Sequence, residues 1–102
     1  MDGWVMVALT LPDTGTAERN GFYKFLEECG WDKSSAEQTL WRKQFPDMKL
    51  HDIRMQIFRD MKNAAKLADI KLFYVSFQVG DTQAESRRYT IKEDGWHYRD
   101  MW

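Results

Sequence analysis

The sequence holds a single cysteine, Cys29, so no disulfide can form within the chain and a cysteine-rich metal site is excluded. It has no excess of either charge: 15 basic residues stand against 16 acidic ones, for a net charge of -1. That balance draws the whole molecule neither to nucleic acid nor to a membrane, so any basic site has to be local. No apolar run is long enough to span a bilayer. The amino-terminal one, MDGWVMVALTLPD, contains an acid and has no basic segment ahead of it, unlike a secretory leader. The cytoplasm is the expected compartment, with no membrane partner and no cofactor. Internal repeats, low-complexity tracts and linkers are also missing, which leaves one domain over residues 1–102.

What the chain does have is aromatic residues: five Trp, six Phe and four Tyr. One small core cannot cover them all, and exposed aromatics mark contact surfaces. With 43% hydrophobic and 30% charged residues, a globular fold is expected over disorder.

The strongest local pattern is residues 71–79, KLFYVSFQV. Phe73, Val75, Phe77 and Val79 alternate with Tyr74, Ser76 and Gln78, the period of a strand. β-Branched and aromatic residues suit a pleated, half-buried surface, so this run is expected near the centre of a sheet. Gly80 and Asp81 end it as a turn. Residues 4–11 read as a first strand, with Val5, Val7, Leu9 and Leu11 on one face and Met6, Ala8 and Thr10 on the other. Apolar residues on both faces predict a central position.

Thr16 is the expected N-cap of a first helix. Phe22, Phe25, Leu26 and Cys29 form its stripe, and Gly30 is its C′ residue. Residues 31–45 read as an irregular hairpin: a short strand over 31–35, a turn around 35–37 and a strand over 39–45. Pro46 breaks that strand and Asp47 is the expected cap of a second helix. The stripe Leu50, Ile53, Ile57, Met61, Ala64 and Ala68 is the clearest helical signal in the chain, with Met55 and Phe58 widening it. Residues 86–91 form a further strand, with Tyr89 and Ile91 facing in and Arg88 and Thr90 facing out. Glu93, Asp94 and Gly95 signal a turn, and residues 96–102, WHYRDMW, are a last short strand or a tail. The expected architecture is α+β: a ferredoxin-like two-layer sandwich with two helices on one face of a mainly antiparallel sheet, and one or two extra C-terminal strands.

Phe25-Leu26-Glu27-Glu28-Cys29-Gly30-Trp31, followed by Thr39-Leu40-Trp41, sits within this element order. Over residues 4–79 the pattern resembles the small ferredoxin-like proteins grouped with VapD-type ribonucleases and the CRISPR-adaptation small subunit. The resemblance implies an acid at the end of the first strand, holding a divalent metal at a dimer interface. This chain has Thr10 and Leu11 there, and its nearest carboxylate is Asp13, beyond Pro12.

Each candidate site has a bland counterpart. Asp13, His51 and Asp52 are an acid and histidine set for a hard cation or a general base, yet an acid in a first helical turn commonly serves the helix dipole. Arg42, Lys43, Arg87 and Arg88 on strands, with Arg54, Arg59, Lys62 and Lys66 on the second helix, are candidate nucleic-acid contacts. A solvated charged face is the ordinary explanation for such residues. The run Tyr74-Val75-Ser76-Phe77 resembles the base-stacking strand of an RNA-recognition motif, but it follows the second helix where that family has it before, and the family's glycine is absent. Cys29 is expected to be a small core hydrophobe.

Trp96, Tyr98, Arg99, Met101 and Trp102 are the candidate partner-binding residues, because Trp, Tyr and Arg anchor interfaces and a chain end rarely carries so many without burying them. The function expected from these residues is that of a small, non-enzymatic regulatory or interaction protein. It would bind a protein partner or a second copy of itself, as an inhibitor of a host defence complex from a phage or mobile element does. A metal-dependent endoribonuclease and an RNA-binding module are the alternatives.

Overall fold

The structure is a computed structural model that describes residues 3–12, 14–35, 39–80 and 82–102. It is an α+β fold of two helices and a six-stranded antiparallel sheet. The elements run β1 (Gly3–Thr10), α1 (Thr16–Glu28), β2 (Asp32–Lys33), β3 (Leu40–Phe45), α2 (Leu50–Leu67), β4 (Leu72–Val79), β5 (Glu85–Lys92) and β6 (Gly95–Asp100). The strand order is β2-β3-β1-β4-β5-β6, and every neighbouring pair is antiparallel.

The alternation of β1 and β4 explains the core. Val5, Val7 and Leu9 point to one side, as do Phe73, Val75, Phe77 and Val79, and all seven are buried. They meet Phe22 and Leu26 of α1 and Ile53, Ile57, Met61, Ala64 and Ala65 of α2. Both helices therefore lie on one face of the sheet. A fully buried side chain of this kind contributes roughly 1.5–3 kcal/mol, so the two central strands anchor the fold. The other side of β1 departs from expectation: Met6, Ala8 and Thr10 are exposed, because the sheet is covered on one face only. β1 is central without being buried on both sides.

Both helices end in the same way. The N–H of Trp31 donates to the Leu26 carbonyl (3.0 Å), and that of Gly30 to the Glu27 carbonyl (3.0 Å). The N–H of Ile70 donates to the Ala65 carbonyl (2.8 Å), and that of Asp69 to the Lys66 carbonyl (3.4 Å). These are paired Schellman bonds, each with an apolar residue closing onto the last turn. Gly30 supplies the required positive φ (94°), as its place in the sequence predicts, but in α2 that conformation falls to Asp69 (57°).

The helix starts differ from the expected caps. Gly15, not Thr16, is the N-cap of α1, and Lys49, not Asp47, is that of α2; among the described residues neither end has a side-chain cap bond. Thr16 is the first helical residue, so its hydroxyl is one position too late. The acids Glu18 and Asp52 in the first turns face the positive helix ends instead. Met55 is exposed because it lies two residues from both Ile53 and Ile57, on the far side of α2. Ile91 points to the helix side with Tyr89 but sits beside the β5–β6 turn, where it stays partly exposed. The turn expected at 35–37 runs into residues outside the described set, as does Asp81.

Candidate functional site

Strand alternation distributes the candidate residues between two unlike surfaces. On the helix side, Arg87 is packed between aromatic rings: its guanidinium lies 4.5 Å from the Phe58 centroid and 4.5 Å from that of Tyr98. It pairs with Glu85 at 3.4 Å and with Asp100 at 3.3 Å, the second an ion-pair distance without hydrogen-bond alignment. Glu85 also accepts from Arg54 at 2.8 Å. Arg87 donates to the Tyr89 hydroxyl at 3.4 Å, and burial pushes the Tyr89 phenol up to about 12. This cluster closes the seam between α2 and the β5–β6 hairpin with its charges paired.

A second polar knot lies under α2. Asp60 is only 4% exposed. It accepts from Trp31 Nε1 (2.9 Å) and Gln56 Nε2 (2.9 Å), and Lys43 Nζ lies 3.7 Å away. Lys43 also donates to the Cys29 carbonyl at 2.6 Å. Burial, with Asp60 nearby, pushes the Cys29 thiol up, away from the reactive thiolate. Sequence reasoning missed Asp60, whose position on the buried stripe of α2 was the available signal.

Among the described residues no helix lies over the opposite face of the sheet. Adjacent strand residues point to opposite sides, so Arg42 and Arg88 fall on this open face while Lys43 and Arg87 turn to the helix side. The four strand residues of the expected basic patch are thus split between two faces. The open face carries Trp4, Met6, Ala8 and Thr10 from β1, Leu40, Arg42 and Gln44 from β3, Leu72, Tyr74, Ser76 and Gln78 from β4, and Ser86, Arg88, Thr90 and Lys92 from β5. β2 adds Asp32, and β6 adds His97 and Arg99. Among its charged strand positions Arg42, Arg88, Lys92 and Arg99 are basic and Asp32 alone is acidic.

One row on this face stands out. Thr10, Tyr74, Arg88 and Arg99 are consecutive partners across β1, β4, β5 and β6. Two arginines directly opposite on neighbouring strands repel each other. Among the described residues neither has an acidic partner. At the other end of the face, Arg42 stacks on Trp4 at 4.7 Å and pairs with Asp32 at 3.2 Å. Trp4 is 49% and Met6 53% exposed. Between these ends lies a shallow groove of 140 Å³ bordered by Met6, Ala8, Leu40, Ser76, Ala84 and Trp102.

The C-terminal segment, expected as a short strand or a tail, is largely a strand. β6 pairs with β5 along its length, Trp96 packs on Phe73 (5.4 Å) and Tyr98 on Tyr89 (5.7 Å). Arg99 points to the open face. Met101 donates its N–H to the Ser86 carbonyl at 2.8 Å, which leads Trp102, 78% exposed, to the groove. His97 is bonded to Asp94 at 2.6 Å, and that bond holds the Asp94 carboxyl below its ordinary range.

Asp13 lies outside the described residues, while His51 and Asp52 are exposed on the first turn of α2. Among the described residues no three of His, Cys, Asp and Glu are grouped as metal ligands, and no helix is long and apolar enough to cross a membrane. No protein-family model, no curated protein and no solved structure matches this chain.

Proposed function

We propose that the protein is a non-enzymatic binding module whose open sheet face takes a polyanionic macromolecular partner. The observation that carries this is the charge of that face. The chain as a whole has a net charge of -1, yet the charged strand positions on the open face are basic except for Asp32. The Arg88–Arg99 juxtaposition is a cost in the free protein that an anionic partner relieves. A second copy of the chain is a poor occupant, because a face-to-face pair would set these cations against their equivalents. The polar groups with unusual environments, Arg87, Asp60 and Cys29, are tied into packing on the other side, which supports a binding role over a catalytic one.

The strand order β2-β3-β1-β4, with a helix after β1 and another after β3, supports a ferredoxin-like unit that β5 and β6 widen into a broader face.

The test is retention on immobilised heparin, a generic polyanion. Replacing Arg42, Arg88 and Arg99 together by Glu is expected to abolish retention. The same charge change at Arg19, Arg59 and Lys66, exposed on the helices, is expected to leave most of it. Equal losses in the two variants would show that net charge, not the face, binds the resin.

A further inference from the structure

The partner class follows from what lies between the cations. We infer that the open face binds single-stranded nucleic acid; this rests on the reading just given and goes beyond it. Charge alone would suit any polyanion, but here the cation sites at both ends of the face have an aromatic neighbour that can take a base. Tyr74 is the cross-strand partner of Arg88, Trp4 lies under Arg42, and Trp102 stands over the groove between them. A π-face for a base beside a guanidinium for its phosphate is the arrangement by which unpaired strands are held without sequence readout.

The dimensions agree. Thr10, opposite Tyr74, and Trp4 are six residues apart along β1, so the two aromatic ends are about 20 Å apart at ~3.3 Å per residue. That length accommodates a short run of extended nucleotides along the strands. Reading a duplex through its groove is excluded on size: six strands at ~4.8 Å spacing make a face about 24 Å wide, and the major groove is only about 12 Å wide. The face cannot enter a groove and can stack only on bases already unpaired. Ser76 and Ser86, bonded to each other at 2.8 Å, and Thr90 supply hydroxyls beside the arginine pair for sugar or phosphate oxygens.

The experiment is fluorescence anisotropy with labelled oligo-uridine and oligo-thymidine, alone and annealed to their complements, titrated with the full chain. The single strands are expected to bind more tightly than the duplexes. The logarithm of the affinity is expected to fall with the logarithm of salt concentration with a slope of about -2, the counterion release of roughly three phosphates. Tyr74→Thr, which keeps a good strand former on the face, is expected to weaken binding roughly tenfold, the scale of one lost base stack. Tyr74→Phe is expected to retain it.

Binding that ignores strandedness, or that Tyr74→Thr leaves unchanged, overturns the inference. If heparin retention through Arg42, Arg88 and Arg99 nevertheless persists, the face still binds polyanions and an acidic protein becomes its partner. If that retention is also insensitive to the three arginines, both readings fail.

Discussion

Tyr89 shows how one side chain joins the sheet to its cover. It is 3% exposed, stacked on Phe73 at 5.1 Å and tilted against Phe58 at 5.4 Å. Burial favours the neutral phenol over the phenolate, so its titration is pushed up to about 12, from an ordinary value of 10.0. The folded state therefore holds its proton where the unfolded chain has lost it. The associated stability is fully present below pH 10 and is lost as pH rises toward 12, on the order of 2 kcal/mol over that window. Urea unfolding measured between pH 9 and 12 is expected to show this decline, and Tyr89→Phe is expected to flatten it. An undiminished decline in the variant would assign the alkaline loss to another group. The inward direction of Tyr89 was legible from period-two alternation. Its ring stack with Phe73 was not, because that depends on the register of β4 against β5.

At the scale of elements, the sequence separated the strong signals from the weak ones on physical grounds. The stripe of α2 and the alternation of β4 are set by repeated burial, and both elements form where those patterns lie. Helix starts are set by a single backbone turn, which is why Thr16 and Asp47 were misplaced as caps. The split of Arg42 from Lys43, and of Arg87 from Arg88, was available from strand parity alone, since neighbours on a strand cannot share a face. The Trp31–Asp60 bond joins residues 29 apart in sequence and has no local signature.

The two Schellman ends offer a direct comparison at this scale. Gly30 takes a φ of 94° freely, whereas Asp69 takes 57° with a Cβ that opposes it. Asp69→Gly is therefore expected to stabilise the fold by about 0.5–1 kcal/mol. Asp69→Val, β-branched and poorly suited to that conformation, is expected to destabilise it. Equilibrium urea denaturation reads both, and a Gly variant less stable than the parent would show that the Asp69 side chain makes a compensating contribution.

For the whole molecule, the division is between a covered face that holds the chain together and an open one to which we assign the proposed binding. The layout of two helices against an antiparallel sheet was legible because it needs only element order and one apolar side per element. The open face was not, since it appears only when six strands are set in register and the residues left over are seen together. The C-terminal segment belongs to both faces, which makes its removal informative. A chain ending at Gly95 loses β6, bares the β5 edge and uncovers Phe73 and Tyr89 where Trp96 and Tyr98 packed. An unprotected edge beside exposed aromatics favours association between chains. That truncation is expected to lower the melting temperature and to aggregate. A chain ending at Asp100 loses only Met101 and Trp102, which are exposed, so its melting temperature is expected to stay near that of the full chain. Calorimetry with light scattering on the three lengths checks this. If the chain ending at Gly95 were as stable and as dispersed as the parent, β6 would be an accessory to the sheet, and the face available to a partner would narrow to β1 through β5.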